Sequence, residues 1–205
     1  MDNTEYIKSF ISLDNMQLAS ISREEQFRKN IQPSIGLEAG KLLGLLVRLI
    51  QAQRVLEFGT SIGYSTIWLA EALRSIEGRL ISVEYDKDLY EETKRNIRAA
   101  GLSSIVELIW GDAQTVIKEV EGPFDMILQD SDKPLYPVLL ERCVSLTRKN
   151  GLIIADDALF KPMGIAEKFS DPIHSYNELV FSDPRLYSTI LPIGDGLTIS
   201  LKLRD

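Results

Sequence analysis

The chain has 205 residues, 44% of them hydrophobic and 26% charged, which suits one domain with a substantial core and is too short for two comfortable ones. Thirty acidic and 23 basic residues give a formal net charge of −7, which disfavours nucleic acid as a partner and favours small molecules. A single cysteine, Cys143, excludes an intrachain disulfide, and the lack of a leader pattern or a long apolar run predicts a cytoplasmic protein without membrane contact.

The first fifty residues carry helical patterns. The stretch SREE at 22–25 fits a capping box, which would begin a helix, and residues 36–50 repeat apolar side chains at helical spacing. We therefore expect residues 1–52 to form helices packed on or beside an α/β core made by residues 53–205 of the same domain.

Five short apolar runs follow, with helical patterns between them. The predicted strands are 54–58, 79–85, 105–110, 124–130 and 151–157. The predicted intervening helices are 65–76, 87–101 and 134–151. Strands that alternate with helices indicate a doubly wound, mostly parallel sheet covered on both faces. Two further runs, 187–193 and 197–203, are separated only by GDG, which predicts a hairpin and an antiparallel last strand.

Glycine and acidic residues follow the predicted strands at the edge where open parallel sheets bind ligands. Gly59 and Gly63 allow close backbone approach after the first strand, although their turn lacks the dinucleotide-binding spacing. Glu84 ends the second strand, where a carboxylate can accept both hydroxyls of a ribose. Asp112, after the third strand, either accepts the amino group of an adenine or caps the next helix, and the sequence leaves both open.

Taken in order, these motifs resemble a known family. The segments VLEFGTSIGYSTIWLAEAL, ISVEYD, GDA, FDMILQDSDKPLY, GLIIADDALF and LPIGDGL are similar to the metal-dependent O-methyltransferases of the catechol and caffeoyl-coenzyme A type. The resemblance implies a seven-stranded, Rossmann-like fold that binds S-adenosylmethionine. It places the turn 57–65 at the methionine portion with Ser65 at its carboxylate. It also places Glu84 at the ribose and Asp112 with Ala113 at the adenine. The implied cofactor-binding residues are Glu57, Gly59, Thr60, Gly63, Tyr64, Ser65, Glu84, Asp112, Ala113 and Asp130.

Three aspartates are predicted to hold a metal ion. Asp130 ends the fourth predicted strand, Asp156 and Asp157 end the fifth, and neighbouring strands lie about 4.8 Å apart. Oxygen ligands indicate a hard cation, Mg²⁺ first and Mn²⁺ or Ca²⁺ as alternatives. The resemblance implies the same ligands at Asp130 and Asp156, but the family usually has asparagine where this chain has Asp157.

Lys133 and Asp130 are the predicted catalytic residues. The resemblance implies that Lys133 is the base for the acceptor hydroxyl, and a nearby divalent cation would lower its pKa; the alternative is a solvated surface lysine. We expect Tyr136 to be a packing residue. The acceptor would be a small hydroxylated aromatic, enclosed by the N-terminal helices and by residues 159–169.

Several residues are expected to play no part in the chemistry. Trp68 and Trp110 lie in core-patterned segments and are predicted to pack in the core. Cys143 is expected to be buried, and His174 to be a surface or packing residue.

Two other functions remain open from the sequence. One is methylation of a hydroxylated base in transfer RNA, which the net charge and the lack of a basic run after residue 160 disfavour. The other is a non-catalytic S-adenosylmethionine-binding protein whose metal site is spoiled by Asp157. The resemblance also implies a homodimer.

Overall fold

The computed structural model describes residues 3–13, 15–29 and 31–204. The helices within them are α1 Asn3–Lys8, α2 Met16–Glu25, α3 Gly36–Leu49, α4 Tyr64–Arg74, α5 Lys87–Ala99, α6 Ala113–Glu119, α7 Leu135–Leu146 and α8 Glu167–Ser182. The strands are β1 Arg54–Phe58, β2 Arg79–Glu84, β3 Val106–Trp110, β4 Phe124–Gln129, β5 Thr147–Ala155, β6 Leu186–Leu191 and β7 Leu197–Lys202.

The seven strands form one sheet in the order β3-β2-β1-β4-β5-β7-β6. The pairs from β3 to β5 are parallel, and β7 runs antiparallel to both β5 and β6. The predicted doubly wound α/β fold and its antiparallel last strand are therefore confirmed. The strand order reverses between β1 and β4, so a crevice opens there at the carboxyl ends of the strands.

Side-chain alternation along the strands builds a hydrophobic layer on each face of the sheet. In β1, Val55 joins the layer made with α3, α4 and α5, whereas Leu56 joins the layer made with α6, α7 and α8. Leu18 of α2 also belongs to the first layer, so α2 and α3 both pack on that face of the sheet. No described helix is long and apolar enough to cross a membrane.

The capping-box prediction at 22–25 is wrong. Those residues form the last turn of α2, which begins at Met16. The true N-cap is Asn15, whose side-chain oxygen accepts a hydrogen bond from the backbone N–H of Gln17 at 2.9 Å. Because this cap already starts the helix, the serine and glutamates at 22–25 have no helix start to stabilise.

Two boundaries near the carboxyl end of the chain also differ from the prediction. Helix α7 stops at Leu146 rather than 151, because Thr147 adopts extended backbone angles and its hydroxyl bonds back to the Cys143 carbonyl at 2.8 Å. The strand β5 accordingly starts at Thr147. Helix α8 was not predicted, since Pro172 lies inside it and proline normally interrupts a helical pattern.

Candidate active site

The loops after β1 and β4 touch at the crevice, and Gly59 makes this contact possible. Gly59 has a φ of +90°, and a Cβ atom on it would clash with the backbone carbonyl of Asp130. The Gly59 N–H donates to the carbonyl of Val83 in β2 at 3.0 Å. Glycine is therefore required both for the backbone angle and for the close approach of the two loops.

Glu84 holds this turn in place. Its Oε2 accepts from the backbone N–H groups of Thr60 at 3.2 Å and Ser61 at 2.9 Å, and from the Thr60 hydroxyl at 3.2 Å. Its Oε1 accepts from the backbone N–H of Asp86 at 2.8 Å. A carboxylate has about four acceptor positions, so Oε1 retains room for one more donor. The structure thus adds a local role for Glu84 that the sequence analysis did not foresee.

Glu57 lies fully buried below the turn. It accepts from the hydroxyls of Ser65 at 2.5 Å and Thr66 at 2.7 Å, and from the hydroxyl of Ser82. Burial raises the pKa of the Glu57 carboxyl to about 7, and the three hydroxyl donors offset part of that rise. Because the Ser65 hydroxyl is bonded to Glu57, it is not free for an anionic ligand. The backbone N–H groups in the first turn of α4, which has no side-chain cap, are the donors that such a ligand could use.

A hollow of about 420 Å³ opens where β2 and β3 end. It is lined by residues 85–87 and 110–112. Trp110 was predicted to be a core residue, and this is wrong: it is 54% exposed, with Lys87 Nζ 5.0 Å from its ring centroid. Asp112 caps α6 by accepting from the Gln114 N–H at 2.7 Å, so its capping role is confirmed, and Ala113 beside it is buried. A contact of Asp112 and Ala113 with an adenine stays a prediction.

Two residues of the β1 turn face inward. Thr60 is buried and its hydroxyl bonds Glu84, as described above, while Tyr64 is buried in the hydrophobic layer with α3. Gly63 has a φ of +92° and lies against Thr93 of α5. A side-chain contact between Tyr64 and a cofactor stays a prediction.

The three predicted metal ligands meet in space. Asp130, Asp156 and Asp157 each offer a carboxylate oxygen, and these oxygens all lie within 4.8 Å of one another. The Asp156 N–H donates to the Gln129 carbonyl at 3.1 Å, which joins the ends of β4 and β5. Asp157 has a φ of +65°, a left-handed backbone that aspartate and asparagine tolerate better than most residues.

Lys133 lies among these carboxylates. Its Nζ forms a direct ion pair with Asp157 and lies 3.3 Å from Asp130 Oδ1 and 3.3 Å from the Tyr136 hydroxyl. The lysine side chain is only 12% exposed, so the surface alternative is wrong. Tyr136 is fully buried, as predicted for a packing residue, but its hydroxyl also reaches the site.

Mutual repulsion and burial set the charges of this cluster. Burial raises the pKa of Asp130 to about 6, against the opposing effect of Lys133. The pKa of Asp156 is well above its usual value because of burial and then the adjacent Asp130 and Asp157. Burial alone would lower the pKa of Lys133, but Asp130 and Asp157 outweigh it and raise that pKa above its ordinary value. The neutral amine expected from the sequence therefore requires a cation that neutralises these carboxylates.

The donor set fits a divalent cation. If all three carboxyl groups were ionised, their charge would exceed that of the Lys133 ammonium by two in a largely buried site. This is unfavourable unless a cation binds or a carboxyl group takes up a proton, as the raised pKa values of Asp130 and Asp156 indicate. All the donors are oxygens, the ligands preferred by Mg²⁺, Mn²⁺ and Ca²⁺. Cys143 and Trp68 are buried, as predicted, and the His174 side chain is 51% exposed, in agreement with the predicted surface position.

The chain is similar to known proteins along most of its length. Residues 9–203 match the family model described as O-methyltransferase. A catechol O-methyltransferase of Niastella koreensis is 37% identical over 181 residues, covering 82% of this chain and 81% of that protein. A catechol O-methyltransferase of Mycobacterium tuberculosis is 31% identical over 159 residues, covering 77% and 72%. The crystal structure of the O-methyltransferase TomG of Streptomyces achromogenes, solved in complex with SAM, superposes with a TM-score of 0.86 at 26% identity and covers both chains completely.

Proposed function

Because this chain belongs to the O-methyltransferase family, we propose that it transfers a methyl group from S-adenosylmethionine to a hydroxyl of a small catechol-like acceptor, assisted by a divalent cation. The observation that carries this proposal is the meeting of Asp130, Asp156, Asp157 and Lys133 beside the glycine turn of β1. The names of the two catechol-methylating relatives support the choice of acceptor.

The crevice offers a place for each part of the cofactor. Glu84 keeps an acceptor position for a ribose hydroxyl, and the start of α4 offers N–H donors for a carboxylate. The hollow between residues 85–87 and 110–112 is lined by the aromatic residues Tyr85 and Trp110, against which a flat adenine ring would pack. When bound, S-adenosylmethionine supplies a methyl group on a positively charged sulfur, and the cation supplies Lewis acidity to adjacent acceptor oxygens.

The residues of this chain then have distinct tasks. Asp130, Asp156 and Asp157 would hold the cation, which lowers the negative charge around Lys133. Lys133 Nζ would accept the proton of the acceptor hydroxyl, since its carboxylate neighbours no longer favour the charged amine as strongly. The burial of this cluster limits water, which favours a reaction in which opposite charges cancel.

One assay separates this proposal from its alternatives. Methyl transfer is measured against a panel of catechols and against total transfer RNA, each with and without a chelator. Transfer to a catechol that is lost with chelator supports the proposal. Transfer to RNA favours the hydroxyuridine alternative, and binding of S-adenosylhomocysteine without any transfer favours a non-catalytic protein.

We also propose that the protein is a cytoplasmic homodimer. Several apolar side chains in the first fifty residues are exposed, and exposed apolar patches often mark interfaces. They include Phe10, Met16, Leu45 and Leu49. Size-exclusion chromatography with light scattering tests the dimer, and a monomer at micromolar concentration would contradict it.

A further inference from the structure

The Lys133 ammonium lies among the carboxylates that would bind a divalent cation. Its Nζ contacts Asp157 directly and lies 3.3 Å from Asp130 Oδ1, and these residues supply two of the three oxygens grouped within 4.8 Å. Two oxygens that bind one Mg²⁺ ion at about 2.1 Å lie at most about 4.2 Å apart, so the three carboxylates would need to draw together only slightly to hold such an ion. The ammonium and a divalent ion would thus use the same two carboxylate groups, those of Asp130 and Asp157.

We infer that Lys133 is the internal counter-ion of the metal site and that a divalent cation must displace its ammonium from Asp157 and Asp130 in order to bind. This inference rests on the proposed function, because it concerns the same carboxylates. It assigns Lys133 a second role, control of metal affinity, which is separate from proton transfer.

The surroundings of Lys133 allow such a displacement. Besides the carboxylates, Nζ lies 3.3 Å from the Tyr136 hydroxyl, 5.2 Å from the Tyr136 ring centroid and 5.9 Å from the Phe160 ring centroid. Aromatic faces and a hydroxyl can hold an amine without competing for the ion. The displaced amine would remain beside the site, at the position needed for a base.

Electrostatic repulsion predicts how the Lys133 ammonium affects the affinity for the metal ion. An ammonium and a divalent ion held by the same carboxylates repel each other, and this repulsion is screened only weakly in a largely buried site. The ammonium therefore weakens metal binding as long as it stays on these oxygens. Removing it should leave three carboxylates open to the ion.

The test is calorimetric titration of Mn²⁺ into the full chain at mildly alkaline pH. Lys133→Met keeps the length and burial of the side chain without the charge, and we expect it to bind Mn²⁺ about tenfold more tightly than the wild type. Lys118→Met, in the last turn of α6 on an exposed position, is the matched control for the loss of one positive charge and should change affinity little. If Lys133→Met lacks the wild-type circular dichroism spectrum, Lys133→Gln replaces it.

A double-mutant cycle checks that the competition runs through Asp157. In an Asp157→Asn background the ammonium loses its direct ion pair, so Lys133→Met should tighten Mn²⁺ binding by a smaller factor than it does beside Asp157. Equal factors in both backgrounds would mean that the competition does not run through Asp157 and would overturn the inference.

Other outcomes separate the inference from the proposed function. Unchanged or weaker Mn²⁺ binding by Lys133→Met overturns the inference, while chelator-sensitive methyl transfer by the wild type would leave the proposed function standing. Mn²⁺ binding by Lys133→Met alone supports the inference. If neither protein binds Mn²⁺, both the inference and the metal requirement fail, and binding of S-adenosylhomocysteine decides separately whether the cofactor site is real.

Discussion

Replacing Glu84 by Ala should weaken both the cofactor site and the fold around it. The carboxylate accepts backbone N–H groups of Thr60, Ser61 and Asp86, and the Glu84 side chain is largely buried. Removing it leaves these donors without their partner. A buried unsatisfied donor costs about 1–3 kcal/mol. Three backbone donors lose their partner, but water can reach Ser61 and Asp86 in part, so we expect the unfolding free energy to fall by about 2–5 kcal/mol.

The loss of cofactor affinity should be of similar size. One charge-assisted hydrogen bond from a ribose hydroxyl to Oε1 would disappear, which weakens binding of S-adenosylhomocysteine by roughly 1.5–3 kcal/mol. Calorimetry measures the affinity, and urea unfolding measures the stability. Glu84→Gln is the matched control, because it keeps one acceptor oxygen for the turn but loses the charge, so it should retain more stability than affinity.

The result that refutes this reasoning is specific. If Glu84→Ala binds S-adenosylhomocysteine as tightly as the wild type, Glu84 does not contact the ribose. If its stability is also unchanged, the hydrogen bonds to Thr60 and Ser61 contribute nothing net to the turn.

The remaining predictions concern Lys133, Asp157 and Glu57. Lys133→Ala should lower kcat by roughly 10²–10⁴ at neutral pH, with partial recovery at higher pH, and a wild-type kcat would mean that Lys133 is not the base. Asp157→Asn should keep metal-dependent activity, bind the ion more weakly and reach its maximum rate at lower pH, because less negative charge surrounds the acceptor; identical metal titrations and pH–rate profiles would mean that Asp157 does not touch the ion. The Glu57 pKa is raised from 4.5 to about 7, so its contribution to stability is fully present below pH 4.5 and lost as pH rises through 7. Glu57→Gln should flatten this fall in unfolding free energy between those values, and an unchanged slope in urea titrations would contradict it.

Local patterns in the sequence were sufficient to predict the architecture of the sheet. Apolar runs at strand length, separated by helical spacing, predicted the parallel sheet, and GDG between the last two runs predicted the antiparallel hairpin of β6 and β7. The acidic residues of the site could be found because they follow strands, and parallel strands bring their carboxyl ends to one edge. Helix boundaries were predicted less accurately, because each depends on a single side-chain hydrogen bond. The Thr147 hydroxyl bonds at the end of α7, and the Asn15 side chain caps the start of α2.

The residue types and their order along the chain therefore determined which groups gather at the crevice. The tertiary structure decided what each group meets there. Trp110 is the last residue of β3, the strand at one edge of the described sheet. Its side chain is therefore exposed, although the apolar pattern of the segment predicted a core position. The pKa of Lys133 is raised by Asp130, three residues earlier in the chain, and by Asp157, which is 24 residues away in the chain and reaches Lys133 only in the folded structure. Burial and charge depend on distances between segments far apart in sequence, and only the packed fold fixes those distances.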